Sequence, residues 1–499
     1  MGMAQGSHRS RSMARGNFPA RVGAGDGVGC GSGRSGFAAE PVTLSWEHSM
    51  SARERLGSSF VVVGATLWVY GATWAPSITW EHRGSDGGDL IAAAAIGRLS
   101  HPPGAPLYHW CARTLVRIVD VDPARVLNGL SAVSAAGATL LVWHCLRRRG
   151  VLPWIATASA LTMAFAPWYW SQAVITEIYS MAALLSTAVL LLTASYAWKR
   201  AGLQWIAVGA ALGGALSVHP ATIFLLFYLV WQKGFRPLPF LSGLICGLVP
   251  YALLPITVRG PQPWGDLTTL SGWLTYVSGR IYWGYAGGLP GRYLPRRLLA
   301  WAVMLSRQFT PPGLLVVGVG GFRLWRSDRR QLLGLLLALG SVSLFAVGYN
   351  SADSWVYLVP FLPLGTVLLS EGMMWLKEQG MPSWAGLLIP LALLAVNWCA
   401  MDLHGDQVAQ SWLWSTLDAL PENAVLLSEE DRYTFALWYG VDARRWRPDV
   451  TVIDLRLWGY EPYRAFLEAT AGLHGTTIEA LAGSRVLCKI VPSGDVVCQ

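Results

Sequence analysis

Charge is what this sequence has least of. Of its 499 residues only 13% are Asp, Glu, Lys or Arg, while 53% are hydrophobic, and mean hydropathy is +0.39. Soluble globular domains carry about 25% charged residues, so a chain this poor in charge is expected in a lipid bilayer rather than in water. Acidic groups are scarcer still. Between Pro123 and Ser327 there are two, Glu177 and Asp266. Cysteine is sparse as well, seven in all, with no C-x-x-C or other metal-ligand spacing, so no metal site or cofactor is evident. Residues 1–49 lack an apolar run long enough for the core of a signal peptide. They are rich in Gly, Ser and Arg. Two readings stand: a disordered cytoplasmic leader, or sequence preceding a start at Met50.

What charge there is falls unevenly. Residues 403–499 hold 8 Lys/Arg against 13 Asp/Glu, a net of −5; the rest of the chain holds 30 against 16, a net of +14. The basic residues come in short clusters between apolar runs, where membrane proteins place them on the cytoplasmic side, so nucleic acid is not the expected partner. Eleven apolar runs approach the roughly 20 residues a spanning helix needs: 58–78, 126–146, 151–171, 178–197, 203–218, 221–232, 237–256, 312–325, 331–348, 355–374 and 383–402. The clusters at 147–149, 198–200, 232–236, 323–330 and 377–379 then share one side, the cytoplasm. That count requires two short spans meeting at "SVHPA" (217–221). The N-terminus is expected inside, and the membrane expected is the bacterial inner (plasma) membrane.

Three stretches face outward on this scheme: 80–125, 257–311 and the tail from 403. In the tail the period changes. "NAVLLS" (423–428) and "DVTVIDL" (449–455) read as buried strands, with helical spacing in "DRYTFALWYGVDAR" between them. A helix at 462–470 and a terminal hairpin complete a small α/β domain. Cys488 and Cys498 could bridge that hairpin in an oxidising compartment. The expected fold is a multi-pass α-helical membrane protein (50–402) with an extracytoplasmic α/β domain (403–499).

Ionisable groups close to a membrane are costly and usually functional, which narrows the candidates to Asp86, Asp89, Glu177, Asp266 and Asp353. Each also has a plain structural reading. Asp89 would be a favourable N-cap for "LIAAAAIGRL". Asp86 is placed as a turn residue, Glu177 would favour the N-terminus of "IYSMAALLS", and Asp266 would cap or turn "PWGDLTTL".

The blocks "SDGGDLIAAAAIGRLSHPPGAPLY", "WSQAVITEIYSMAALL", "GALSVHPA", "PQPWGDLTTLSGWLTYVSGRIYWGY" and "LPENAVLLSEEDRYTFALWYG…RPDVTVID" resemble, in this order, the multi-pass family called domain of unknown function 2723, or transmembrane protein 260-like. Its animal member is a protein O-mannosyltransferase, and the family is placed among the GT-C glycosyltransferases. The family often carries Glu where this chain has Asp89, and Asn where it has Val218 before His219. The resemblance covers roughly residues 60–460. It implies a polyprenyl-phosphate sugar donor and a catalytic acidic residue in the first outer loop, where Asp86 and Asp89 stand.

On that footing an outer-loop aspartate would deprotonate an acceptor hydroxyl of a protein or glycan, which displaces lipid phosphate with inversion. Phosphate needs cationic partners, and Arg98, Arg280, Arg296, Arg297, His101 and His219 are the outer-side candidates, Arg being suited to bidentate contact. Glu177, Trp264, Asp266 and Tyr282 are supporting candidates. A multi-pass transporter or flippase of a lipid-linked or small solute is the alternative, although paired repeats with broken helices at matching places are not visible.

Overall fold

The computed structural model describes residues 52–194, 201–258, 260–472, 477–478 and 482–498. The stretch 1–49 and the basic cluster at 198–200 lie outside them. Helix α1 (Ala52–Thr73) stops five residues short of the expected run, because Pro76 biases the residue before it to extended backbone. The exit is pinned by α4: Asn128 Nδ2 donates to the carbonyls of Ala75 (2.9 Å) and Ser77 (3.1 Å). A 3-10 turn at Glu81–Asp86 leads into two helices, α2 (Gly87–Ile96) and α3 (Pro106–Ile118).

The 26-residue α4 (Pro123–Arg148) starts where the Asp122 carboxylate accepts from Ala124 N (2.8 Å), with proline in the first turn. The run expected at 151–171 is two helices, α5 (Pro153–Phe165) and α6 (Pro167–Ala173), divided before Pro167. Then come α7 (Tyr179–Thr193) and α8 (Ala201–Leu216). At "SVHPA" the chain does break. His219 Nδ1 accepts from Ala221 N (3.2 Å) and opens a 3-10 turn at Pro220–Phe224, followed by α9 (Leu225–Leu229).

Next are α10 (Pro237–Gly247), α11 (Val249–Thr257), α12 (Leu270–Val277), α13 (Leu294–Phe309), α14 (Pro311–Ser327) and α15 (Arg329–Gly348). Then a 3-10 segment, Ser354–Phe361, runs into α16 (Leu362–Glu378), followed by α17 (Leu388–Met401). Helix α13, inside the stretch expected as outer loop, had no counterpart among the apolar runs. Helices α8 and α10 cross through facing glycines. A Cβ on Gly209 would lie 2.0 Å from the Phe240 carbonyl oxygen, and one on Gly243 would lie 1.9 Å from that of Ile206. Lipid supplies no hydrophobic drive between helices, so such close backbone packing is what holds them.

The chain is a mostly helical integral membrane protein. Helices occupy all eleven expected places, and five stretches are long and apolar enough to cross a membrane by length and composition: Pro123–Arg148, Pro237–Thr257, Arg329–Gly348, Ser354–Glu378 and Ser383–Met401. The apolar stretches Gly57–Thr73, Tyr179–Thr193, Ala201–Leu216 and Pro220–Leu229 are shorter.

After α18 (Val408–Asp418) the tail forms a four-stranded sheet of order β2-β1-β3-β4. Strands β1 (Val425–Ser428) and β2 (Thr451–Asp454) run parallel around α19 (Asp431–Trp438) and a π-helical turn, Tyr439–Ala443. Beyond α20 (Glu461–Ala471), β3 (Leu487–Ile490) pairs parallel to β1 and antiparallel to β4 (Val496–Cys498). Cys488 and Cys498 are cross-strand partners joined by a disulfide. One apolar core fills the helical bundle. A second joins Ile78, Leu90 and Ile91 to Leu426, Phe435 and Leu437 of the tail, so the two parts of the chain share a core.

Candidate active site

The paired glycines between the two aspartates have a steric reason. A Cβ on Gly88 would sit 2.2 Å from the Phe435 carbonyl oxygen, and one on Gly87 would sit 3.2 Å from that of Thr176. Only bare backbone lets the start of α2 wedge between α19 and the 174–178 connection. Asp86 ends the 3-10 turn, and Asp89 is the third residue of α2.

Asp89 does not cap its helix, as its place in the sequence had suggested. The helix begins at Gly87, and the buried carboxylate turns instead to the segment 98–101. Its Oδ2 accepts from His101 backbone N (2.7 Å) and from His101 Nδ1 (2.9 Å). Its Oδ1 accepts from Trp264 Nε1 (3.4 Å) and lies 3.7 Å from Arg98 Nη2. The turn that presents His101 is itself held, with Tyr276 Oη donating to Ser100 O (2.8 Å) and Gly104 N to His101 O (3.0 Å).

His101 is therefore held between two acids. Its Nδ1 is on Asp89 and its Nε2 is 3.8 Å from Asp86 Oδ2. The ring lies parallel to Phe435 at 6.3 Å and edge-on to Trp264 at 6.2 Å. Burial works to discharge this imidazole, but Asp86 and Asp89 prevail and lift its pKa to about 10, so it is cationic at neutral pH. Burial likewise raises Asp89, yet its hydrogen bonds and charge contacts with His101 and Arg98 hold its carboxyl below the usual range. Around Asp86 the exclusion of water dominates. It raises the pKa to about 6, with His101 opposing and the Asp431, Asp353 and Asp89 carboxylates adding to the rise. The side chain of Asp86 keeps 38% of its surface open, whereas that of Asp89 keeps none. Asp86 is thus the open member of the pair and Asp89 the closed one.

Arg98 is placed differently from an open phosphate ligand. Its side chain is 4% exposed, ion-paired to Asp442 of the tail through Nη1, near Asp89 through Nη2, and stacked 4.3 Å over the Trp438 ring. Arg280 is exposed at the start of the 3-10 turn Arg280–Tyr285. Tyr282 in that turn feels the fields of Asp86, Asp431 and Asp89, and burial above all raises its phenol. Asp266 is exposed and satisfies Thr268, accepting from its N (2.8 Å) and Oγ1 (2.6 Å), a local turn rather than a site contact.

Glu177 is 4% exposed. Its backbone exchanges hydrogen bonds with Ser131 Oγ, and its carboxyl accepts from Ile178 N (3.3 Å) without a cation at ion-pair distance among the described residues. Burial, then repulsion from Asp86, raises it well above the carboxylate range. His219 sits in an aromatic recess, 5.2 Å from Tyr179 and 5.0 Å from Tyr357 between ring centres. The connection bearing Asp353 is fastened by Arg297 Nη2, which donates to the carbonyls of Tyr349 (2.7 Å) and Ser351.

No residue of the tail was among the candidates read from the sequence. Phe435, Trp438, Tyr439 and Asp442 follow i, i+3, i+4, i+7 spacing, the signal that could have pointed to one functional helix face. Tyr439 Oη also donates to Asp122 (2.8 Å), and Arg444 pairs with the same carboxylate at 3.3 Å. The tail thus clasps the start of α4 as well as α2. Among the described residues, no group of three or more His, Cys, Asp or Glu side chains is disposed to hold a metal ion.

Comparison with known proteins agrees with the resemblance read from the sequence blocks. Residues 86–237 match the family model of the protein O-mannosyl-transferase TMEM260 N-terminal domain. The chain is 25% identical to the protein O-mannosyl-transferase TMEM260 of Mus musculus over 431 residues, covering 76% of this chain and 60% of that one. It is 23% identical to the corresponding Dictyostelium discoideum protein over 477 residues, covering 79% and 57%. The chain thus spans about 60% of the length of these curated relatives. Among solved structures, ArnT from Cupriavidus metallidurans bound to undecaprenyl phosphate is similar with a TM-score of 0.53 at 13% identity, over 82% of this chain and 92% of that one. The Archaeoglobus fulgidus oligosaccharyltransferase is similar with a TM-score of 0.52 at 12% identity, over 82% and 64%. The chain shares the overall fold of these two proteins.

Proposed function

We propose that this chain is a membrane glycosyltransferase that moves a sugar, mannose by its relatives, from a polyprenyl-phosphate donor to a hydroxyl of a protein or glycan at the outer membrane face. The observation that carries the reading is the asymmetry of the acid pair. One carboxylate, Asp86, is partly open and of raised pKa. The other, Asp89, is closed and spent on positioning His101 and Arg98. A general base works best with a pKa near the operating pH.

In the proposed step the acceptor O–H gives its proton to Asp86 as its oxygen attacks the anomeric carbon. The bond from that carbon to the phosphate oxygen breaks, and lipid phosphate leaves on the opposite face with inversion. Once Asp86 is protonated, the His101 charge it had balanced is released toward the departing phosphate. Arg280 and His219 are the further phosphate partners proposed, and Glu177, Trp264 and Tyr282 shape the recess. The accompanying topology is eleven spans with the N-terminus inside and the tail outside, in a bacterial inner membrane.

The test is transfer of radiolabelled sugar from a polyprenyl-phosphate donor in purified membranes. Asp86→Asn is expected to lose about 10²–10⁴-fold in rate while protein level and donor binding persist. Near-normal transfer by that variant would remove Asp86 from the chemistry.

A further inference from the structure

A second polar recess lies at the far end of the bundle from the acid pair. Helix α4 begins beside Asp122 and the tail and ends at Arg148. At 1.5 Å per residue its 26 residues place the two ends about 39 Å apart. Helix α7 likewise starts beside Glu177 and ends at Thr193. Where both finish, a pocket of about 290 Å³ opens between the ends of α4 and α7, the turn after α9, the α14–α15 junction and Glu371 of α16.

Its lining is strongly cationic. Arg148, Arg149, Lys233, Arg323 and Arg330 stand against Asp328 and Glu371, five charges against two, a net of +3. The acids are already engaged, Asp328 with Lys233 at 3.2 Å and Glu371 with Arg323 at 3.2 Å. Two donors in the lining, Arg149 Nε and Gln331 Nε2, are buried without a hydrogen-bond partner among the described residues. Buried orphan donors are rare in native structures and call for a partner. Basic clusters beside spanning helices are expected for topology alone, and Arg148, Lys233 and Arg330 are exposed, whereas Arg149 and Arg323 are half-buried. Here they converge on a concavity, with unsatisfied donors and the N-terminus of the 20-residue α15 at its edge.

We propose that this pocket binds the phosphate group of an anionic lipid in the leaflet opposite the acid pair. Arginine forks suit a phosphate diester, and basic pockets between helices on the cytoplasmic side accommodate anionic headgroups. The site is separate from the acid pair and does not rest on its assigned chemistry. The phosphate could belong to a bilayer phospholipid, to a polyprenyl phosphate or to free phosphate, and the experiment separates these.

Native mass spectrometry of the full chain released from nanodiscs is the measurement. The arms are phosphatidylglycerol, phosphatidylcholine, a polyprenyl phosphate and inorganic phosphate, and the proteins are wild type, Arg149→Gln, Arg330→Gln and Asp86→Asn. Wild type and Asp86→Asn are expected to retain phosphatidylglycerol or polyprenyl phosphate in preference to phosphatidylcholine. Each Arg→Gln change is expected to weaken retention about tenfold or more, the usual weight of a charge-assisted hydrogen bond. Arg149→Lys, which keeps the charge but not the fork, should fall between and controls for folding. Equal retention by wild type and both Gln variants, no discrimination against phosphatidylcholine, or binding of inorganic phosphate alone would each overturn the proposal.

Discussion

Asp442→Ala tests whether the tail holds the acid pair in place. The substitution removes one of the two anions facing Arg98, whose side chain is 4% exposed. Breaking a fully buried ion pair costs about 3–5 kcal/mol. Two features reduce that figure here. The Asp442 side chain keeps 26% of its surface, and Arg98 retains Asp89 at 3.7 Å, an attraction of roughly 4 kcal/mol at an effective dielectric of 20. We expect a loss of about 2–3 kcal/mol for Ala, and about 1 kcal/mol for Asn, which keeps an acceptor for Nη1. Asp89, left as the nearer partner, draws the guanidinium toward itself and loosens its hold on His101. Transfer should then slow about tenfold, equivalent to 1.4 kcal/mol, with the donor KM unchanged. Thermal unfolding in detergent and steady-state sugar transfer read the two effects. A melting midpoint equal to wild type, or a loss carried wholly by KM, would refute the reasoning.

Four further outcomes can be checked. Activity should fall on acidification with a midpoint near pH 6 as Asp86 protonates, and His101→Gln should move that midpoint upward, because His101 is what lowers it; a pH–rate profile decides. His101, raised from 6.5 to about 10, contributes stability that is complete below about pH 6.5 and lost as pH rises through 10, which a pH series of melting curves measures. Gly88→Ala sets a methyl 2.2 Å from the Phe435 carbonyl oxygen, so α19 must shift; limited proteolysis should cut the tail faster than in wild type, with transfer lost in parallel. Reporter fusions after Arg149, Gly260, Arg330 and Gln499 should read inside, outside, inside and outside; an inside reading at Gly260 would overturn the eleven-span topology.

The parts of this molecule legible in its sequence are those set by local pattern. Apolar runs mark the helices, the change of period at residue 423 marks the β-α-β tail, and the break at "SVHPA" is fixed by a proline and the histidine before it. The proximity of Asp86, Asp89 and His101 was legible too, because a tight turn and a short helix leave few ways to arrange 16 residues. What escaped reading depends on partners distant in the chain. Asp89 looks like a cap until one sees that Arg98, His101 and Trp264 converge on it. Arg98 looks like a phosphate ligand until Asp442, 344 positions away, takes its charge. Nothing local distinguishes those cases, since a buried ion pair is defined by what packs around it.

The core that Ile78, Leu90 and Ile91 share with the tail has a consequence in time. Residues 86–101 leave the ribosome with the first turns of the bundle, but Phe435, Trp438 and Asp442 arrive some 340 residues later. At 5–20 residues per second that is a delay of about 17–70 s. Throughout it the segment 86–101 lacks the wall that stacks on His101 and the carboxylate that shares Arg98. The recess around the acid pair is thus complete only once residues 435–442 have packed against it.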